Sequence, residues 1–285
     1  MTTPAIVAVC VLGALLFLFA LFVFLVKPNR LRSEMNDFKN VRYAHRGLHN
    51  ETRPENSLAA FSAAVEGGYG IELDVRLSKD GELVVFHDDT LDRVTSESGR
   101  VDAKTFAELK EIRLAGTDER IPSFKEVLDL VNGRVPLLIE LKEDAGKYGV
   151  TEKTLEILEK YKGAFVIESF NPLALGLVKK KAPHIMRGFL SQHFFKEEKY
   201  RAPMYFLLQN ILLNFICRPD FIAFCHSDFK MFAFRFIKKI FRIPTLAWTT
   251  ESEADDKKAL ENGFSGIIFQ YYLPEPRVNS DKEQL

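Results

Sequence analysis

From residue 41 onward, short apolar runs alternate with longer amphipathic stretches, and this alternation limits the possible folds more than any other feature of the chain. The apolar runs predict strands over 41–46, 71–77, 83–88, 136–141, 164–170, 185–190, 220–225, 244–249 and 266–269. Helices are predicted between them over 57–67, 104–113, 123–132, 151–161, 172–181, 205–216, 229–242 and 251–262. Strand–helix alternation over about 230 residues is typical of a mostly parallel sheet, either open or closed into a barrel.

The first 26 residues contain no Asp, Glu, Lys or Arg. Residues 5–26 are therefore an uncharged stretch that would be about 33 Å long as a helix, enough to cross a hydrocarbon core of about 30 Å. A cleaved signal peptide is the alternative, but the stretch lacks a basic n-region, is long for an h-region and shows no small-residue cleavage site. We expect residues 1–26 to be a retained transmembrane anchor.

Basic residues follow the apolar stretch and outnumber the acidic ones, with Lys27, Arg30, Arg32, Lys39 and Arg42 against Glu34 and Asp37. An excess of Lys and Arg marks the cytoplasmic flank of a membrane span. The chain is therefore expected to pass the cell membrane once and to hold its globular part in the cytoplasm. Residues 27–40 are predicted to be a linker, residues 41–275 the globular domain and residues 276–285 a flexible tail.

Charge and motif content exclude several classes of function. The chain has 39 Lys and Arg and 39 Asp and Glu, so it lacks the basic excess of a dedicated nucleic-acid binder. It also lacks the GxGxxG, GxxxxGK[ST], GxSxG and HExxH patterns, which disfavours dinucleotide-binding, P-loop, α/β-hydrolase and zincin functions. Three cysteines without metal-ligand spacing give no sign of a zinc site or a disulfide framework.

Residues 71–88 (IELDVRLSKDGELVVFHD) predict a hairpin with a two-residue Asp-Gly loop at 80–81. That register sets Asp74 opposite His87 and places Glu72 on the same strand face. Carboxylates on an otherwise apolar strand are costly unless a cation or hydrogen bonds compensate. An exposed edge strand with a polar face is the alternative, and the spacing alone does not decide between them.

Two further predicted strands end in charged residues. Glu140 and Lys142 share a face at the end of PLLIELK (136–142), and His45 and Arg46 follow the first strand in YAHRG (43–47). Because the active sites of α/β sheets and barrels lie at the carboxyl ends of the strands, these side chains are expected to converge.

The converging residue types predict a phosphate-ester hydrolase. Oxygen ligands from Glu72, Asp74 and Glu140, without cysteine, suit a divalent ion such as Ca²⁺ or Mg²⁺. Arg46 and Lys142 carry the positive charge that holds a phosphate. His45 and His87 are suited to act as general base and general acid near neutral pH.

The chain resembles the glycerophosphodiester phosphodiesterases, in a membrane-anchored bacterial form. The resemblance rests on AHRG (44–47), RPENSLAAF (53–61), GIELDVRLSKDGELVVFHDDTLDRVT (70–95), IPSFKEVL (121–128), LLIELK (137–142), ESF (168–170) and LAWTT (246–250). It implies an α/β fold, a (β/α)₈ TIM-type barrel with a small insertion after the third strand, over about residues 89–135. It also implies metal-dependent hydrolysis of glycerophosphodiesters to an alcohol and sn-glycerol 3-phosphate.

The resemblance also implies roles for individual residues. Matched by motif, His45 and His87 are the acid/base pair, and Glu72, Asp74 and Glu140 are the metal ligands. The residues implied to bind substrate are Arg46, Lys142, Glu55 and Trp248. Glu55 is also implied to support the part of the site at the first strand. LAWTTE (246–251) and GIIFQ (266–270) depart from the family pattern, which bears on substrate identity rather than on the chemistry.

Two alternatives to this function stay open. One is a lysophospholipase D-like activity on lysophospholipids still in the membrane, and the other is a membrane-tethered binding protein without turnover. Residues 231–243 (MFAFRFIKKIFRI) bear on this choice because they combine a basic stripe with a broad Phe/Ile face. That pattern suits a helix lying on anionic lipid, but it equally suits an outer barrel helix packed on strands.

Overall fold

Eight parallel strands close into a barrel in the computed structural model, which describes residues 3–38, 40–144 and 146–275. Within these residues the strands are β1 (Arg42–Ala44), β2 (Gly70–Leu77), β3 (Leu83–Val85), β4 (Leu137–Leu141), β5 (Phe165–Ser169), β6 (Arg187–Ser191), β7 (Phe221–Cys225), β8 (Thr245–Thr250) and β9 (Gly266–Phe269). The α-helices are α1 (Thr3–Val26), α2 (Leu58–Glu66), α3 (Phe106–Lys110), α4 (Phe124–Val131), α5 (Gly149–Leu158), α6 (Pro172–Lys181), α7 (Pro203–Gln209), α8 (Asn214–Cys217), α9 (Phe232–Phe241) and α10 (Glu253–Glu261).

The pairing of β1 closes the barrel. The sheet runs in the order β1-β9-β8-β7-β6-β5-β4-β2-β3, and β1 also pairs with β2 in parallel. Only β3 is antiparallel, and it extends β2 outside the ring of eight. The (β/α)₈ barrel that the family resemblance implies is therefore confirmed.

The insertion after the third strand is present, but it ends earlier than expected. Residues of this segment form a separate core together with Val84 and Phe86, and its members are Leu91, Val101, Leu109, Ile112, Leu114 and Ile121. The expected end at residue 135 is wrong, because α4 belongs to the outer helix layer. Phe124, Val127 and Val131 of α4 are buried in the main core, and Ser123 begins the helix with a capping box to Glu126.

Two apolar layers hold the barrel together. One lies between the strands and the outer helices and contains Leu73 and Val75 of β2, whose side chains point outward from the barrel. The other fills the barrel interior around Tyr43 and Phe221. Because side chains alternate along a strand, Glu72 of the same β2 faces the barrel interior.

The predicted helix over 205–216 is two helices. The chain leaves α7 after Gln209, takes a left-handed conformation at Ile211 with φ of 58°, and resumes helical structure in α8. A β-branched residue with positive φ is strained, so the break is maintained by its surroundings, and Ile211 is fully buried.

Among the described residues, α1 is the helix long and apolar enough to cross a membrane, by length and composition. Almost all of it is exposed, but its last turns contact the barrel. The Phe22 ring lies 5.1 Å from that of Phe236 on α9. Asn214 donates to the Val26 carbonyl at 3.0 Å and Arg218 to the Phe24 carbonyl at 2.9 Å. These two side chains satisfy carbonyls that the helix end would leave unpaired.

Residues 27–38 run along the barrel at the amino ends of its strands. Asn29 donates to Asp220 at 2.7 Å, and Arg32 donates to the His184 carbonyl at 2.7 Å. Met35 and Phe38 are buried in the interior layer and close that end of the barrel. The segment predicted as a linker thus packs on the domain, while the predicted tail at 276–285 lies outside the described residues.

Candidate active site

Three carboxylates meet at the carboxyl ends of β2 and β4. Asp74 pairs in register with Glu140, and Glu72 lies two residues before Asp74 on the same face. One carboxylate oxygen from each residue can be chosen so that all three lie within 4.8 Å of one another. The residues are buried, with exposed fractions of 2%, 0% and 7% for Glu72, Asp74 and Glu140.

The electrostatics of this cluster fit a divalent cation. Burial, together with the charges of its acidic neighbours, raises the pKa of Glu72 well above its usual value, and burial likewise raises the pKa of Glu140. Burial would also raise the pKa of Asp74, but Lys142, His87 and Arg46 hold it well below its usual range. A cation between the three carboxylates would relieve their mutual repulsion, and an all-oxygen donor set suits Mg²⁺ or Ca²⁺.

Two cationic side chains border the carboxylates. Lys142 Nζ lies 2.7 Å from Glu140 Oε1 and 3.1 Å from Asp74 Oδ1. Arg46 Nε lies 3.5 Å from Asp74 Oδ2, and the Arg46 backbone N–H donates to Glu72 Oε2 at 2.8 Å. The two cations bring positive charge to the place where a phosphate would meet the metal.

His45 is held in one orientation by Gln270. Its Nδ1 lies 2.7 Å from Gln270 Oε1, and the Gln270 amide in turn donates to Glu251 at 2.7 Å. Because an amide oxygen only accepts, Nδ1 carries the hydrogen and Nε2 keeps its lone pair. Nε2 lies 4.0 Å from Glu72 Oε2, facing the cluster. Burial and the charge of Arg46 lower the pKa of His45 to about 3, so the ring is a neutral base.

His87 lies in the same pocket as His45, Arg46 and Glu72, but not by the predicted strand register. Val75 pairs with Val85, so Phe86 rather than His87 stands level with Asp74, and the Phe86 N–H donates to the Asp74 carbonyl at 3.0 Å. The predicted two-residue loop is wrong because Gly81 adopts φ of 82° and donates to the Ser78 carbonyl, which makes the loop one residue longer. The chain leaves the sheet after Val85, and the loop that follows carries His87 into the pocket.

An ion-pair network joins the two histidine loops. His87 Nδ1 lies 2.5 Å from Asp88 Oδ1, and Arg93 donates to Asp88 at 2.6 Å. The same guanidinium donates to both oxygens of Glu55 at 2.7 and 2.8 Å, and Arg46 donates to Glu55 at 2.7 Å. Glu55 lies behind Arg46, outside the pocket that is lined by His45, Arg46 and His87. Sequence reasoning missed Asp88 and Arg93, although both stand in the HDDTLDRVT stretch that carries the resemblance.

The reactive groups line one pocket of about 210 Å³. It brings together seven of the nine predicted site residues, adds Glu168 and is completed by Thr249 and three apolar side chains. Its lining residues are His45, Arg46, Glu72, His87, Glu140, Lys142, Glu168, Phe170, Leu190, Trp248, Thr249 and Ile268. Asp74 lies directly behind this surface, fully buried, and Glu55 is the one predicted residue that sits apart. Trp248 closes one side, with its ring 5.6 Å from Phe170.

Glu168 is a site residue that the sequence analysis passed over. It is the last residue but one of β5 and pairs in register with Glu140, so the inward-facing alternation at that strand end could have revealed it. Burial and the charge of Glu140 raise the pKa of Glu168 well above its usual value. Its Oε2 atom has no hydrogen-bond partner among the described residues. Glu168 is therefore suited to meet a bound group rather than to support the protein scaffold.

The chain matches known proteins over the whole barrel. Residues 45–272 match the model of the glycerophosphoryl diester phosphodiesterase family. The chain is 35% identical over 256 residues to a glycerophosphodiester phosphodiesterase of Caldanaerobacter subterraneus subsp. tengcongensis, covering 85% of this chain and 97% of that protein.

Solved structures agree with this match. An Oleispira antarctica phosphodiesterase in complex with the product sn-glycerol 3-phosphate is 26% identical, with a TM-score of 0.69 over 82% of this chain and 94% of that one. A glycerophosphodiester phosphodiesterase from Thermotoga maritima is 30% identical, with a TM-score of 0.62 over 81% of this chain and 94% of that one. The chain belongs to the glycerophosphoryl diester phosphodiesterase family.

Proposed function

We propose that the chain hydrolyses glycerophosphodiesters to an alcohol and sn-glycerol 3-phosphate with the help of a divalent metal ion. The observation that carries this proposal is the pocket itself. Two histidines, two cations and a buried carboxylate cluster converge in one pocket at the carboxyl end of a barrel that matches this enzyme family. A protein that only binds its ligand has no need of both histidines.

Glu72, Asp74 and Glu140 would hold the ion, which is Mg²⁺ or Ca²⁺ by the chemistry of its oxygen ligands. The bound ion would polarise a phosphoryl oxygen and stabilise negative charge in the transition state. Arg46 and Lys142 add fixed positive charge next to the same oxygens. Trp248 lines the wall against which the glycerol or the alcohol group packs.

His45 is assigned the general base and His87 the general acid. The neutral Nε2 of His45 accepts a proton from the attacking water as the water oxygen bonds to phosphorus. As the P–O bond to the alcohol breaks, His87 gives a proton to the departing oxygen. Asp88 holds the other ring nitrogen of His87 and so fixes which nitrogen points to the substrate. Glu55 acts indirectly, by positioning Arg46.

We also propose that α1 anchors the enzyme in the cell membrane with the barrel on the cytoplasmic side. The uncharged helix is long enough to span the bilayer, and basic residues predominate directly after it. Labelling an introduced cysteine at exposed Tyr148 with a membrane-impermeant reagent tests the orientation. Labelling in opened but not in intact cells supports a cytoplasmic barrel, and labelling in intact cells contradicts it.

The catalytic proposal is tested by Glu140→Gln, which keeps the side-chain volume and removes one ligand charge. We expect the rate of glycerol 3-phosphate release from glycerophosphocholine to fall by about 10²-fold or more. The cluster would bind and position the cation that stabilises the transition state less well. Glu66→Gln, at an exposed site on α2, is the matched control and should behave as the unmodified protein. Full activity of Glu140→Gln at saturating metal would contradict the ligand assignment.

A further inference from the structure

The helix α9 carries a second apolar surface beside the one that packs on the barrel. Phe234 and Ile237 belong to its buried face. Phe232, Phe236 and Ile240 recur every four residues and form a separate strip along the helix, which we call the outer strip. Phe232 is 71% exposed and Ile240 is 56% exposed. An outer barrel helix needs one apolar face, so the outer strip exceeds what core packing requires.

The outer strip is continuous with α1. The Phe236 ring lies 6.2 Å from that of Phe19 and 5.1 Å from that of Phe22. The Phe232 ring lies 5.8 Å from that of Phe22. Because residues 27–38 also pack on the barrel, α1 and α9 are held side by side without a free linker between them.

The length of α1 sets the depth of this contact in a bilayer. A hydrocarbon core of about 30 Å takes about 20 helical residues. A span that starts at Thr3, the first residue of α1, therefore reaches about as far as Phe22. Phe19 and Phe22 then lie inside the bilayer and near its surface. Phe236, which contacts both rings, lies at the level where acyl chains meet head groups.

A row of basic side chains borders the outer strip. Arg235, Lys239 and Arg242 are exposed and stand at i, i+4 and i+7, on one side of the helix. Within the described part of the chain none of the three forms an ion pair with an acidic side chain, and α9 itself contains no acidic residue. A second copy of the chain would place the same basic row against this one. Charge complementarity therefore favours anionic lipid as the partner of this surface.

We propose that α9 is a second membrane contact, whose outer strip enters the lipid interface while its basic row binds the phosphates of anionic head groups. The proposal rests on the proposed anchoring of the chain by α1. It adds that the barrel is held on the membrane in one orientation and does not turn freely about its anchor. One face of α9 packs on the barrel and the neighbouring face meets lipid, so the two interpretations of residues 231–243 are compatible.

The experiment measures tryptophan fluorescence of the full chain in nanodiscs of phosphatidylcholine with about one quarter phosphatidylglycerol, with and without bromine on the upper acyl chains. Ile240→Trp and Phe232→Trp each place a tryptophan on the outer strip, and the unmodified chain gives the background from Trp248. We expect bromine to quench about half or more of the added emission. Tyr148→Trp is the matched control, because Tyr148 is exposed beside α5, three strands around the barrel, and should be quenched by less than about a tenth.

The basic row is tested by replacing both Arg235 and Lys239 with Gln in the Ile240→Trp chain. We expect quenching to fall by about twofold or more in the anionic nanodiscs, because the attraction to lipid phosphates is lost. Quenching in nanodiscs of phosphatidylcholine alone should stay unchanged. The matched control replaces Lys160 and Lys162 with Gln, since both are exposed just after α5.

Quenching at Ile240→Trp no greater than at Tyr148→Trp overturns the inference. The anchoring proposal stands in that case if alkaline carbonate does not extract the chain from cell membranes, and extraction by carbonate overturns both. A disulfide between two Ile240→Cys chains, in place of quenching, would show that a second copy covers the outer strip and would also overturn the inference. Equal loss of quenching in the two double-Gln chains overturns the basic row as the site of lipid phosphates.

Discussion

Replacing Glu55 by Gln removes the carboxylate that joins Arg46 and Arg93 at the edge of the catalytic pocket. Glu55 accepts from Arg46 at 2.7 Å and from two nitrogens of Arg93 at 2.7 and 2.8 Å. Gln keeps the shape of the side chain, but it leaves both guanidinium groups without this anionic partner. The variant therefore isolates the charge of Glu55 from its packing.

The size of the effect follows from the pKa of Glu55. Burial alone would raise this pKa, but Arg93 and Arg46 outweigh it and lower the pKa from 4.5 to about 2. A lowering of this size corresponds to about 3 kcal/mol in favour of the ionised, folded form. Because the Arg93 side chain is 47% exposed, solvent screens part of the interaction, and we expect a loss of about 2 kcal/mol in the free energy of unfolding at pH 7.

The assay is urea unfolding of the full chain in mild detergent, followed by fluorescence of Trp248, the single tryptophan. Urea is uncharged and does not screen ion pairs, unlike guanidinium. A lowered folded-state pKa stabilises the protein above the unfolded value of 4.5, and this contribution disappears as the pH falls through about 2. The difference between the two proteins should therefore be constant from pH 6 to 8 and shrink below about pH 4.5.

Glu51→Gln, at an exposed position in the same loop, is the matched control and should leave stability unchanged. A loss of less than about 0.5 kcal/mol in Glu55→Gln at pH 7, or a loss that grows on acidification, would refute the argument.

Two further predictions concern the histidines. His45→Ala and His87→Ala should each lower kcat by about 10²-fold or more with little change in KM, and changes confined to KM in steady-state kinetics would contradict their acid/base roles. Asp88→Asn should lower kcat by about tenfold or more, because the neutral amide no longer stabilises the positive charge of the imidazole that donates the proton. An unchanged kcat in steady-state kinetics would remove Asp88 from the mechanism.

The strands were predictable because each is a short apolar run bounded by polar or turn-forming residues. In the closed barrel, β2 is buried on both faces. Its apolar residues Leu73 and Val75 therefore predicted a buried strand. Its carboxylates also stood out, since Glu72 and Asp74 interrupt an apolar run. The convergence of His45, Glu72 and Glu140 followed from the rule that parallel strands end at one rim.

The features that escaped prediction depend on loop geometry. The register of the hairpin between β2 and β3 depends on one glycine. The left-handed conformation of Gly81 lengthens the loop and shifts the pairing of the two strands by one residue. Arg93 and Glu55 are 38 positions apart in the chain, and charged residues in loops carry no periodic signal of their partners.

The central claim is that the pocket with the carboxylate cluster hydrolyses glycerophosphodiesters with a divalent cation. The most direct test measures glycerol 3-phosphate release from glycerophosphocholine by the purified full chain, first as prepared, then after chelation with EDTA, then after titration with Mg²⁺ or Ca²⁺. The account predicts that release stops with the chelator and returns saturably with one of the two ions. Release that continues unchanged after chelation, or no release under any of these conditions, would contradict it.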